Sequence, residues 1–144
     1  MRAATALIVA AALGTGLITA TAPHAQQAKS SPPPITQGAQ GIKRIPLQRF
    51  AVPDTNYDTV IGIAEIAPNV SVGRHTHFGV ESGYIMDGEA TLMVDGQPVR
   101  QLKAGDSYVI PAGVIHDAKA GPKGAKALAT YVILKGKPIA APAK

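Results

Sequence analysis

Turn signals recur along this chain at a spacing that leaves room for strands but not for long helices. Pro68-Asn69, Gly79, Asp87-Gly88, Asp95-Gly96, Ala104-Gly105-Asp106, Pro111-Ala112-Gly113 and Gly121-Pro122-Lys123-Gly124 mostly stand eight to ten residues apart. Gly, Pro, Asn and Asp supply the backbone angles at which regular elements end. Between them lie short runs rich in β-branched residues: Thr59–Ile66, Val72–His77, Val80–Met86, Ala90–Val94, Tyr108–Ile110, Ile115–Ala118 and Ala125–Leu134. None carries an apolar helical stripe of useful length, so the rhythm predicts an all-β sandwich or barrel. Asp87-Gly88 and Asp95-Gly96 are dipeptides of tight hairpins, which predicts an antiparallel meander through residues 80–86, 90–94 and 98–102.

The 144 residues suffice for one domain, and both ends fall outside it. Met1 and Arg2 precede an uncharged, small-residue-rich stretch, so residues 1–25 read as a signal peptide and the protein as periplasmic or secreted. Residues 26–41, QQAKSSPPPITQGAQG, are a flexible Pro/Gln/Ser-rich leader. The folded domain is expected over residues 42–137, followed by a disordered tail, PIAAPAK, over 138–144. The formal charge is +5, but the basic residues are scattered and form no nucleic-acid footprint. Lysines thicken the C-terminal third, as a solvated face does. No membrane contact is expected once the signal is removed.

There is no tryptophan and aromatic residues make up 4%, so the core must be aliphatic. There is also no cysteine, so a metal could be held only through nitrogen and oxygen. Four histidines occur, one inside the export segment. Of the other three, His75 and His77 are two apart on one expected strand, where alternation points both imidazoles to one face. Glu81 opens the next strand, on the face of Gly83 and Ile85. His116 follows the Pro111-Ala112-Gly113 turn and can close a site from across the barrel. Arg74, Thr76, Tyr84, Met86 and Asp117 alternate to the other side. Phe78, Tyr84, Met86, Met93, Tyr108 and Tyr131 are candidates for a pocket wall, though ordinary packing explains each equally well.

These residues form two motifs. The first reads His75-Thr76-His77, three residues, Glu81, six residues, Gly88; the second reads Gly105, five residues, Pro111-Ala112-Gly113, two residues, His116. Sixteen residues separate them. In this the chain resembles the cupin superfamily, specifically its compact bacterial single-domain members, over roughly residues 61–120. Asn69 stands where a glycine usually opens the first motif, and Ala120 where asparagine often closes the second. Asn tolerates a left-handed turn almost as well as Gly. The resemblance implies a cupin jelly-roll β-barrel with one divalent transition metal held by His75, His77, Glu81 and His116. Three imidazoles and one carboxylate suit Mn, Fe, Co, Ni, Cu or Zn without selecting among them, and leave coordination positions open.

Two classes of function follow. One is a metal-dependent enzyme, dioxygenase-like or isomerase-like, acting on a small bidentate anionic or enolic substrate, with Glu81 both ligand and catalytic proton carrier. The other is a non-catalytic exported module that binds a metal or small ligand. A homodimer formed through strand edges, with residues 41–52 or the terminal strand exchanged, is a further expectation.

Overall fold

The computed structural model describes residues 40–143. The expected signal segment and nearly all of the leader therefore lie outside the described residues. Eight strands form, β1 (Ile42–Ala51), β2 (Tyr57–Ile66), β3 (His75–Thr76), β4 (Gly79–Val94), β5 (Arg100–Lys103), β6 (Ser107–Ile110), β7 (His116–Leu134) and β8 (Ala141–Pro142), and no helix occurs among the described residues. They make one curled sheet in the order β1-β2-β7-β3-β8, with β4 also beside β7 and β5 and β6 both on β4.

The sheet folds over on itself because β4 and β7 bend together. The first part of β4 pairs with residues 125–133 of β7 and with β6, and its last five residues pair with residues 116–120 of β7 and with β5. Between the two halves the register shifts at Ile85/Asp87 and at Gly88/Ala90. The result is an all-β jelly roll whose half-sheets, β1-β2-β7-β4-β6 and β8-β3-β7-β4-β5, share their two longest strands.

This corrects the expected meander at one point. Asp87-Gly88 is a bulge inside a sixteen-residue strand, not a hairpin turn. Gly88 does adopt the positive φ, 72°, that the dipeptide favours. Its partner strand, however, carries Gly121–Gly124 at the same level, so both strands swing round the corner and continue. A Cβ on Gly88 would overlap the Gly124 carbonyl, which fixes glycine there. Likewise the runs 115–118 and 125–134, read as separate, join in one strand of nineteen residues that begins at His116.

Period-two alternation places the core. Along β4, Gly79, Glu81, Gly83 and Ile85 are buried while Val80, Ser82, Tyr84 and Met86 face outward. Ile85, Leu92, Val94, Leu102, Ile110 and Ala127 form one aliphatic cluster, with Tyr108, Val114 and Ala118 against it. A second, of Ile66, Ala90, Ala120 and Ala125, fills the corner. Asn69 takes the left-handed conformation, φ 60°, that a glycine would otherwise supply.

The segment after Lys137 also departs from expectation. Read from its composition as a disordered tail, it turns back in the structure and lays β8 against β3, with His75 opposite Pro142 and Thr76 opposite Ala141. Composition misses this because the contacts are made by the backbone, which the Ala- and Pro-rich sequence leaves accessible.

Candidate metal centre

Strand β3 is short because the chain puckers before it. Ser71 pairs with Lys119 and His75 with His116, so the approach to β3 carries one more residue than its partner. Asp117 holds the pucker: it accepts from Ser71 Oγ at 2.6 Å and from the Gly73 backbone N–H at 2.9 Å. That turn aims the Gly73 carbonyl at His75 Nδ1, 2.7 Å away. The Pro111–Gly113 turn does two jobs. Its Gly113 N–H donates to the His77 carbonyl at 3.0 Å, and the Val114 carbonyl just after it lies 3.0 Å from His116 Nδ1. His77 Nδ1 lies 2.6 Å from the carbonyl of Ile139, a residue 62 positions along the chain.

All four residues expected to share a site come together. One ligand atom from each of His75, His77, Glu81 and His116 lies within 4.8 Å of all the others, an arrangement that can hold a metal ion. His77, Glu81 and His116 are 3%, 5% and 3% exposed, and His75 is half-buried. The imidazole centroids are 4.2 to 5.0 Å apart.

The hydrogen bonds assign the tautomers. A backbone carbonyl accepts and never donates, so each Nδ1 carries a proton, and a ring that is neutral then presents an Nε2 lone pair. Glu81 Oε2 then lies 2.8 Å from His77 Nε2 and 3.2 Å from His116 Nε2. Neither Nε2 has a hydrogen-bond partner of good geometry, and both are fully buried. Lone pairs of nitrogen and oxygen facing one another at this distance repel unless a positive charge sits between them. A proton or a metal ion must fill that place.

The charges respond accordingly. Burial disfavours the charged form of Glu81, yet with a proton on each facing Nε2 the His116 and His77 imidazoles outweigh it and hold its carboxyl at about 2. Burial works against protonation of His116 too, but the facing carboxylate and the Val114 carbonyl raise its pKa. At His75 burial wins and the pKa is lowered. Burial thus favours the neutral, ligating form of His75, whereas the facing carboxylate favours the protonated form of His116.

The other carboxylate oxygen is engaged as well. Tyr108 O–H donates to Glu81 Oε1 at 2.9 Å, leaving Oε2 alone to face the imidazoles. The Tyr108 ring reaches there by crossing Gly83, where any Cβ would overlap it. Tyr131 stands opposite Glu81 in register, with its ring 4.9 Å from that of His77. Burial, and then the Glu81 charge, push both phenols upward, so both keep their protons. A mainly apolar cleft of about 550 Å³ reaches His77, between Tyr57, Phe78, Val80, Val132 and Leu134.

Of the other candidates, Tyr84 and Met86 face outward as expected, and Arg74 lies on the surface paired with Asp95 at 2.7 Å. Sequence reading placed Tyr108 among possible wall residues without seeing its bond to Glu81. Gly83, two residues after Glu81 on the same face, was the available signal. The carbonyls of Gly73, Val114 and Ile139 carry no side-chain signature and were invisible.

The family model for the cupin domain matches residues 62–133, half of the chain and all four clustered residues. The protein is a cupin. Over 67 residues this cupin is 34% identical to dimethylsulfoniopropionate lyase DddW of Ruegeria pomeroyi; the match covers 46% of the chain and 43% of that relative's length. The fold is similar to a cupin superfamily protein of Desulfitobacterium hafniense, with a TM-score of 0.54 and 27% identity over 69% of this chain and 84% of that one. It is also similar to the dimethylsulfoniopropionate lyase DddQ of Ruegeria pomeroyi, with a TM-score of 0.54 and 21% identity over 58% and 42% of the two chains. At that identity the DddQ likeness speaks for the fold alone.

Proposed function

We propose that this cupin is an exported, metal-dependent enzyme that binds a small organic anion through two donor atoms and moves a proton on it, in lyase-like or isomerase-like chemistry. The observation that carries the metal reading is the pair of buried Nε2 atoms of His77 and His116, both aimed at Glu81 Oε2 without a hydrogen bond of good geometry. The donor set of three imidazoles and one carboxylate fits Mn, Fe, Co, Ni, Cu or Zn. Held there, a divalent ion supplies Lewis acidity, lowering the pKa of groups bound to it.

The protein's own groups supply the rest. His75, His77 and His116 would hold the ion through Nε2, and Glu81 through Oε2. Tyr108 holds Glu81 Oε1, which leaves Oε2 as the oxygen facing the imidazoles. The catalytic part of Glu81 would be to accept a proton from the bound substrate, with the Tyr108 hydroxyl steadying the carboxylate. Similarity to a lyase over 46% of the chain favours proton transfer over oxygen insertion.

The alternative is an exported binding module without turnover. It is favoured by the engagement of Arg74 with Asp95 and of Arg49 with Asp58, which keeps these two arginines from clamping an anion at the cluster. One experiment separates the two. Protein recovered from the native exported fraction is analysed for metal, reloaded with each candidate ion, and offered dimethylsulfoniopropionate, hydroxy acids, β-diketones and catechols. Substrate loss without oxygen uptake supports the enzyme proposed here; oxygen uptake replaces it with a dioxygenase. Saturable thermal stabilisation without turnover supports the binding module, and a protein that takes up no metal overturns the enzyme proposed here.

A further inference from the structure

His75 and His116 each lean on a carbonyl two residues away in their own segment. His77 differs, because its Nδ1 is held at 2.6 Å by Ile139, in the segment that closes the chain. That segment is tied down beside β3 by the pairs His75 with Pro142 and Thr76 with Ala141, and by the Ala143 N–H to the Arg74 carbonyl at 3.1 Å. It thus runs along the back of the strand that carries one imidazole and fixes the ring of the other.

We propose that this C-terminal strap, Ile139–Ala143, is a structural part of the metal centre, the Ile139 carbonyl positioning His77 so that Nε2 presents a lone pair to the ion. The inference rests on the metal reading above. Its physical content is a choice between tautomers. The ring can ligate through Nε2 only when its remaining proton is on Nδ1, and the Ile139 carbonyl is the acceptor that holds a proton there. Without the strap the buried Nδ1–H loses its acceptor, while Glu81 Oε2 lies 2.8 Å from Nε2. The proton then favours Nε2, where it bonds to Glu81. In that state His77 has no lone pair facing the cluster and Glu81 Oε2 is also engaged, so two of the four ligands are masked together. His75 and His116 keep their own carbonyls and are unaffected. Ile139 is a positioning residue through its backbone alone, so its side chain is free to vary.

The test compares the full chain, a chain ending at Lys137 and the full-length variant Ile139→Ala. Tautomers are read from imidazole nitrogen shifts of the metal-free proteins, and affinity by Zn²⁺ competition against a chromophoric chelator. In the full chain and in Ile139→Ala, His77 Nδ1 carries a proton and zinc affinity is equal. In the shortened chain the proton moves towards Nε2 and affinity falls about 10–100-fold, the effect typical of losing an outer-shell partner. A folded shortened chain with unchanged His77 shifts and unchanged affinity overturns the proposal, as does a loss of affinity in Ile139→Ala as large as in the shortened chain. If the shortened chain does not fold, Ala143→Pro in the full chain removes the donor to the Arg74 carbonyl instead, and the same proton shift at His77 is required. If the full chain binds no zinc, the metal reading fails, while the metal-free tautomers still decide the role of the strap.

Discussion

Glu81 and His116 ride on strands of sixteen and nineteen residues, whereas His75 and His77 belong to a strand of two, or lie just past it, backed by another strand of two. The long side is anchored by ladders that also enclose the core, so its ligands are as fixed as the fold itself. The short side is anchored by a pucker at Asp117, the Pro111–Gly113 turn and the returning C-terminus, none of which encloses much apolar surface. The difference separates two quantities that are easily confused: the long side determines how stable the barrel is, and the short side how tightly the cluster can hold an ion. Substitutions on the two sides should therefore give different readouts.

The largest effect is expected on the long side. Ile133 is 0% exposed on β7, and Ile133→Ala should cost about 2–5 kcal/mol of global stability, as truncating a buried aliphatic side chain does. Urea unfolding checks it through the midpoint. The comparison breaks if removing the strap from β3 costs as much, because β8 would then be part of the core.

Next comes Gly83→Ala, where the new methyl group meets the Tyr108 ring. The overpacking should cost about 1–3 kcal/mol. It should also move the Tyr108 hydroxyl off Glu81, lowering metal affinity as well as stability. Tyr108→Phe removes the hydroxyl and keeps the ring, so affinity should fall about tenfold with a smaller loss of stability. Calorimetric metal titration beside thermal unfolding separates the two variants. Equal affinity in Tyr108→Phe and the natural protein would show that Glu81 needs no such support.

Protons and metal should compete. In the metal-free protein, the contribution of Glu81 is complete above its ordinary 4.5 and is lost as pH falls towards about 2. That of His116 is complete below 6.5 and is lost as pH rises through its raised value. His75, lowered by burial, acts in the opposite sense and disfavours the folded state once pH falls below 6.5. A divalent ion takes the place of the protons, so metal affinity should rise with pH, by up to about tenfold per pH unit for each proton displaced. The gain in melting temperature on adding Zn²⁺ should accordingly be larger near pH 8 than near pH 5.5. A gain independent of pH would mean that the ion binds somewhere other than His116.

The same division explains what could be read from the sequence. His75 and His77 are two residues apart, so side-chain periodicity turned both to one face, and Glu81 alternates with Gly83 and Ile85; that His116 joins them was carried by the resemblance of the two motifs to the cupins. The strand count was harder. Asp87-Gly88 has the chemistry of a hairpin, and only the matching corner at Gly121–Gly124 in a distant strand turns it into a bulge. The strap was hardest, since Pro138–Ala143 contributes two short backbone pairings and one carbonyl. Side-chain patterns say nothing about where a main-chain acceptor will lie once the chain has folded.

The smallest expected effect tests whether the strap depends on backbone alone. Arg74 supplies the carbonyl that receives Ala143 N–H, while its side chain leaves the cluster to pair with Asp95. That pair is largely exposed, at 58% and 49%, where an ion pair is worth about 0–1 kcal/mol and is screened by salt. Arg74→Ala keeps the carbonyl and removes the pair, so stability should change by less than about 1 kcal/mol and metal affinity not at all. Measuring both at low and high salt distinguishes the alternatives. A salt-dependent loss of metal affinity in Arg74→Ala would show that the charge beside His75, and not the main chain that runs through Arg74, governs this side of the cluster.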